Sequence, residues 1–365
     1  MDILFSHFSA LTVLRSYRCR AVDGVPPDNG AVPAVTPGKD ELLREVRSSG
    51  LLRGLELPIE LLAGSHKQRS KTIYAHRLQY PLPRRAILNL GGFKCVSPEH
   101  VVVQMASRLD DLQLAVLLGE LMGTYAIDPI LGEMHQVKEP MTTPDALQAY
   151  LEDLGGFPGT SRVRRCLRMM PPGSGSPWET RLALRLSLPP ALGGYHLPVA
   201  ALNEAVSVQG LRADLPRHTR RPDILLAVSG VGPGREGRHR YVAIEYDGAT
   251  HYGEERHARD VERQTELMAA GLKEYVVGRQ QYADLEYMDG LASLIRKDLG
   301  MSRIGLTRDA ERRRRELRRQ LYLRLEAIDE RGLGSLLPQA ELGSDEDEGD
   351  PRDEDVVPVS AYGLD

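Results

Sequence analysis

The chain has 365 residues, 41% hydrophobic and 27% charged, which is enough apolar mass for a buried core and a length that suggests two domains. No stretch approaches the roughly 18 consecutive apolar residues of a spanning helix, which argues against a membrane role. Cys19, Cys95 and Cys166 are odd in number and lack a Cys-x-x-Cys pair, which argues against a disulfide framework or a structural zinc motif and reads as buried free thiols. The net charge of −4 conceals an asymmetry: from Glu341 onward ten acidic residues face Arg352 alone, so the preceding part carries about +5. A mildly basic body is compatible with a polyanionic partner.

Leu4 to Leu14 is mildly apolar but contains His7, follows no basic region and has no cleavage pattern, so it does not read as a signal peptide and cytoplasmic residence is expected. Ala21 to Gly38, rich in Pro and Gly, reads as a loop, and Asp40 to Arg47 as a short helix. Strands are expected near Tyr74 to Gln79 and Ala86 to Leu90. Ser97-Pro98-Glu99 is a helix start, with Ser as N-cap and Pro at the first helical position, leading into helices over Glu99 to Arg108 and Leu112 to Tyr125. Thr143-Pro144 opens another, ended by Gly155-Gly156, and Ser161 to Met170 reads as helical. Pro171 to Ser176 is the expected linker.

Ser176 opens a helix through about Leu188, in which Glu179 stands at the capping-box position, able to reach back to the N-cap amide. Short strands are expected at Val206 to Val208, Ile224 to Val228 and Tyr241 to Tyr246. A helix follows from about Glu255 to Ala270, stopped by Gly271, then a strand from Lys273 to Val277 and a covering helix from Met288 to Leu299. Arg308 to Arg331 carries one apolar stripe, Leu317, Leu321, Leu325 and Ile328, opposite an Arg cluster interleaved with acids. That cluster reads either as a DNA-backbone grip or as a solvated face of intrahelical pairs. The acidic tail is expected to be disordered.

The chemistry concentrates between Pro222 and His251. Side chains alternate along a strand, so Glu245 and Asp247 share one face about 6.6 Å apart. Like charges that close oppose each other's ionisation unless a cation lies between them. Asp223, Glu245 and Asp247 could supply the oxygen ligands of a hard divalent ion, Mg²⁺ or Mn²⁺. Asp247-Gly248 alone also fits a turn, and Asp223 a strand-mouth turn residue.

Glu179, Pro222-Asp223, Ile244-Glu245-Tyr246-Asp247-Gly248 and His251 together resemble the restriction-endonuclease-like PD-(D/E)xK domain of the type related to very-short-patch-repair endonucleases. The resemblance spans Ser176 to Gly300. It implies a helix bearing an acidic residue, a strand beginning with Asp, a strand ending in an acidic pair, then a helix and a further strand. It also implies that Asp223, Glu245 and Asp247 bind metal while Glu179 supports the site. Asp247 stands where the superfamily commonly has Lys; relatives of the repair type also lack that Lys and place a His shortly after the strand, which implies acid/base work for His251, whose ordinary pKa near 6.5 suits it. Arg256 and Arg263, on one stripe of the following helix, are candidate phosphate contacts. More loosely, Ile73 to Leu78, Leu82-Pro83 and Phe93 to Ala106 resemble the C-terminal part of AbiEi-type antitoxins, which actinobacterial proteins often join to such a nuclease-like domain.

The expected architecture is therefore α/β: a restriction-endonuclease-like mixed sheet flanked by helices at 177–305, preceded by a mostly helical α+β domain at 1–170 and a linker at 171–176. A basic amphipathic helix at 306–333 and the acidic tail at 334–365 follow. The expected function is Mg²⁺- or Mn²⁺-dependent hydrolysis of DNA phosphodiester bonds, in repair or defence against phage and mobile elements. The alternative is a catalytically silent DNA-binding or antitoxin-like module on the same fold. DNA is the expected partner, with a toxin or a second copy of the chain left open.

Overall fold

The computed structural model describes residues 3–20, 31–64, 68–90, 93–210, 217–229, 239–248, 254–302 and 305–328, with the side chains of 51, 209, 229, 239 and 254–261 outside the description. The acidic tail, and His251, therefore lie outside the described residues. Among those described, no helix is long and apolar enough to cross a membrane.

The first half is built on β1 (Leu4–Phe5), α1 (His7–Cys19), α2 (Lys39–Ser48), β2 (Ile59–Ala63), β3 (Gln68–Arg69), β4 (Ile73–Arg77), β5 (Ile87–Asn89) and β6 (Lys94–Val96). These strands form one mixed sheet in the order β3-β4-β2-β1-β6-β5; the sequence marks β4 and β5 but not β1, β2, β3 and β6, nor helix α1. Two of the strands are only two residues long, and β2 reads Ile-Glu-Leu-Leu-Ala, a short apolar run that periodicity cannot tell from a helix turn. Helices α3 (Pro98–Met105) and α4 (Asp111–Leu121), the hairpin β7 (Tyr125–Ile127) and β8 (Met134–Gln136), then α5 (Pro144–Asp153) and α6 (Thr160–Leu167) complete it. The helix starts follow the capping chemistry: Ser97 accepts from His100 N–H, Asp110 and Gln113 form a capping box, and Thr143 accepts from Ala146 N–H.

The second half runs through α7 (Pro177–Ser187), β9 (Val199–Leu202), β10 (Val206–Gln209), β11 (Arg217–Arg220), β12 (Ile224–Ser229), β13 (His239–Asp247), α8 (Glu254–Ala269) and β14 (Lys273–Gly278). After these come α9 (Arg279–Ala283), α10 (Leu285–Asp298) and α11 (Arg308–Glu326). Its sheet has the order β14-β13-β12-β9: β9, β12 and β13 are antiparallel, and β14 runs parallel to β13 after the α8 crossover. Val206 to Val208 is a strand, but it pairs with β11 in a separate two-stranded ladder, and the outer strand of the main sheet is β9. The two alanines of β9, Ala200 and Ala201, are weak strand formers and hide it in the sequence.

Alternation divides this sheet cleanly. Ile224, Leu226, Val242, Ile244 and Val277 face the main core with α7 and α10, while Leu225 and Ala243 join Val208, Leu267 and Leu272 in a smaller cluster beneath α8 and the β10–β11 ladder. The carboxylates belong to that second face.

The halves share one continuous core. The expected linker is part of it: Gly173 N–H donates to Met122 O at 3.0 Å, Thr124 N–H donates to Ser174 O at 2.8 Å, and Ser174 is fully buried. Helices α4 and α7 cross where Gly119 meets Thr180 so closely that a Cβ would lie 2.5 Å from a Thr180 methyl. Further on, α11 lies over the 190–192 turn and α7, burying Leu321, Leu325 and Ile328 as the apolar stripe requires. Gly193 allows that contact. It has φ +85°, and a Cβ there would stand 2.3 Å from Leu317 O.

Candidate functional site

Asp223 precedes β12 and Glu245 lies in β13, and continuing the antiparallel register one step beyond Ile224↔Ile244 sets them opposite each other on the α8 face. Asp223 N–H donates to Glu245 Oε1 at 3.3 Å, and Tyr246 N–H donates to Asp223 Oδ2 at 2.6 Å. The aspartate is thus a fixed strand-mouth group. The next strand adds Glu274, which pairs in register with Ala243 and therefore points to the same face.

Glu179 reaches this corner from α7. Ser176 caps the helix by accepting from Glu179 N–H at 3.1 Å, yet the Glu179 carboxylate does not close a capping box with Ser176. It accepts instead from Gly175 N–H and from Asn203 Nδ2, each at 2.7 Å. Asn203, in the left-handed region at φ +51°, donates its own N–H to Asp223 O at 3.1 Å and so locks the end of β9 to the Asp223 corner. Burial pushes the Asp223 carboxyl up to about 7. The nearby charge of Glu179 adds to this, and Glu274 does so to a lesser extent, against the opposing pull of Tyr246 N–H and Arg263.

Arg263 of α8 is the counter-cation. Its guanidinium forms an ion pair with Glu245, lies 3.4 Å from Glu274 and donates to Arg221 O at 3.3 Å. This residue was expected to reach phosphate; its guanidinium is instead held within the carboxylate cluster. The side chain of Arg256 and the whole of His251 fall outside the described residues, so neither expectation is placed.

Asp247 ends β13, paired with Gly278 of β14. The three carboxylates Asp223, Glu245 and Asp247 do not bring ligand atoms together as tightly as expected. Among the described residues, groups with three ligand atoms within 4.8 Å of one another occur at His7, Glu60 and His76 and at Cys19, Asp128 and His135. The acids beside Asp223 are Glu245, which accepts from its N–H, and Glu179 and Glu274, whose charges act on its carboxyl; no three of these four bring ligand atoms within 4.8 Å of one another either. Glu274 and Asn203 escaped the sequence reading. Glu274 could have been flagged as an acid on the inward alternation of a core strand; Asn203 sits in a loop-like Leu-Asn-Glu and carries no such signal.

Four of the eight arginines of α11 form ion pairs. Arg312 pairs with Asp309, Arg319 with Glu316, Arg318 with Asp289 and Arg324 with Asp110 of the first half. The last two tie α11 to α10 and to the start of α4. On the opposite face of the sheet Trp178 stacks on Tyr246, with ring centroids 5.6 Å apart, and Arg181 and Arg279 lie over the indole at 4.8 and 5.5 Å.

No protein-family model, curated protein or solved structure matches the chain.

Proposed function

We propose that the second half is a restriction-endonuclease-like domain whose acidic corner holds Mg²⁺ or Mn²⁺ and that the protein hydrolyses phosphodiester bonds in DNA. The observation that carries this reading is the excess of negative charge at one sheet corner. Glu245 of β13 and Glu274 of β14 lie at the guanidinium of Arg263, while Asp223, at the start of β12, is bonded through its N–H to Glu245 and feels the charge of Glu179 from α7. Burial of that many carboxylates is costly without cations, and hard oxygen donors fit a hard divalent ion. The chain path also supports it, since α7, β12, β13, α8 and β14 follow one another in the order helix, Asp-led strand, acidic strand, helix and strand that the resemblance implies.

Bound there, the ion would lower the pKa of a water and neutralise charge on the phosphate. The chain's own groups have definable tasks. Asp223 is aimed by Tyr246 N–H and, with its carboxyl pushed up to about 7, would be among the residues to hold the ion in its ionised form. Glu179 is oriented by Gly175 and Asn203. Arg263 brings to Glu245 the positive charge that Asp247 cannot, at the position where the superfamily usually carries Lys.

One observation favours a second reading. Arg263 already neutralises Glu245, so the corner can stand as a structural ion network in a catalytically silent DNA-binding or antitoxin-like module. Purified protein incubated with supercoiled DNA and Mg²⁺, beside Asp223→Ala and Glu245→Ala, separates the two. Nicking by the parent that both substitutions abolish supports the nuclease; nicking that survives both rejects this site; DNA binding without metal or nicking favours the silent module.

A further inference from the structure

Two side-chain groups outside the acidic corner converge closely enough to hold a metal, and their surroundings distinguish them. At His7, Glu60 and His76 the acceptors are already engaged. Glu60 Oε1 accepts from His76 Nε2 at 3.1 Å and from Arg108 at 3.2 Å, and Oε2 accepts from Phe8 N–H at 3.0 Å. A cation there would meet a guanidinium, and the two imidazoles stack at 3.8 Å instead of converging around a gap. That group is self-satisfied.

The second group is different. Cys19 ends α1, Asp128 follows β7, and His135 is the middle residue of β8. Asp128 Oδ1 accepts from Ile130 N–H and Leu131 N–H, each at 2.8 Å, which fixes the carboxylate. Its Oδ2 lies 4.0 Å from His135 Nε2, too far for a hydrogen bond. That imidazole nitrogen is buried and has no hydrogen-bond partner among the described residues. A buried donor or acceptor left unpaired is costly. The Cys19 sulfur completes the triangle, with all three ligand atoms within 4.8 Å of one another.

We propose that Cys19, Asp128 and His135 form a zinc-class site with three protein ligands, one sulfur, one oxygen and one nitrogen, and a fourth position left to water or an exogenous ligand. Borderline-soft Zn²⁺ takes this donor set, whereas Mg²⁺ takes oxygen alone. Tetrahedral ligation at about 2.0–2.3 Å sets ligand atoms about 3.3–3.7 Å apart. The triangle therefore needs only a contraction within rotamer reach. Binding releases the Cys19 proton to solvent.

The scaffold is formed in advance. Arg18, next to Cys19, donates to Tyr125 O at 2.7 Å, Gly123 O at 2.6 Å and Glu139 O at 2.9 Å, holding the end of α1 on the β7–β8 hairpin. The ion would then clip elements already in contact. Exposed Ile130, Leu131 and Met134 surround the hairpin tip.

The test uses the full chain carrying Asp223→Ala, so that the acidic corner does not contribute, with Zn²⁺ by calorimetry and Co²⁺ by absorbance. One equivalent should bind, with a sulfur-to-cobalt charge-transfer band in the near ultraviolet. Cys19→Ser should abolish the band, and Cys19→Ser and His135→Gln should each weaken Zn²⁺ at least about tenfold while the far-ultraviolet dichroism stays unchanged. Zn²⁺ should also slow maleimide labelling of Cys19. Cobalt binding without the sulfur band, Zn²⁺ affinity unchanged in both variants, or labelling indifferent to Zn²⁺ would overturn the assignment.

Discussion

Glu245 of β13 and Arg263 of α8 form an ion pair directly beside the Asp223 corner, so one guanidinium balances the strand carboxylates and ties the crossover helix to the sheet. Arg263→Ala should leave Glu245 and Glu274 without that charge. Hydrogen bonds to charged groups contribute about 1.5–3 kcal/mol, and at this partly exposed position a loss of about 1–2 kcal/mol is expected. Urea unfolding measures it, and Mn²⁺ should restore more stability to the variant than to the parent. Equal responses to Mn²⁺ would show that Arg263 and a cation do not share this position.

The acidity of Asp223 has a definite sign. Its folded carboxyl titrates near 7, above the ordinary 3.8, so the folded state holds a proton that the unfolded chain has lost. Stability associated with this group is fully present below pH ~4 and is lost as pH rises to about 7. Asp223→Asn keeps an oxygen that can accept from Tyr246 N–H. It should match the parent near pH 4 and exceed its stability at pH 8 by more than about 1.4 kcal/mol, the equivalent of one pKa unit. Denaturant midpoints at the two pH values check this; a variant no more stable at pH 8 than at pH 4, relative to the parent, contradicts it.

Glu266 of α8 is almost fully buried and accepts from Arg220 Nε at 2.8 Å, with His218 Nε2 at 3.0 Å, joining the helix to the β10–β11 ladder. Replacing it with Ala leaves the Arg220 charge without its partner on a partly buried face, and a cost of about 3 kcal/mol is expected. Faster amide exchange should appear first in 206–209 and 217–220. A uniform loss of protection across the whole chain would show that the ladder is not a separate unit.

Gly193→Ala tests the seating of α11. A left-handed φ and a carbonyl 2.3 Å from the new Cβ require the helix to shift, at an expected cost of roughly 2 kcal/mol or more. Thermal unfolding reads it. The Arg318–Asp289 pair, at 2.8 Å, should lose its contribution with the displaced helix, so adding Asp289→Ala should cost less in the variant than in the parent.

Strand alternation and capping chemistry made much of this legible. Ile224 to Val228 and Tyr241 to Tyr246 read as strands because β-branched and aromatic residues crowd them, and from that pattern Asp223 and Glu245 follow as neighbours on one corner. The residues that complete the corner were hidden for physical reasons. Asn203 follows an alanine-rich strand, Glu274 is delivered by a parallel crossover whose register no local pattern encodes, and the pairing of Arg263 with Glu245 depends on how α8 lies across the sheet. In the first sheet periodicity marks β4 and β5 but not β1, β2, β3 and β6, which run only two to five residues. Cys19, Asp128 and His135 are more than a hundred residues apart at their extremes and meet only through the docking of α1 on the hairpin.

The central claim is that the corner formed by Glu179, Asp223, Glu245 and Glu274 binds a hard divalent ion, and Mn²⁺ titration followed by electron paramagnetic resonance tests it most directly. The free Mn²⁺ signal should fall with one equivalent bound per chain, more tightly at pH 8 than at pH 6, and Asp223→Ala or Glu245→Ala should remove that binding. A signal undiminished by the parent protein, or binding equally strong in both variants, would contradict the account.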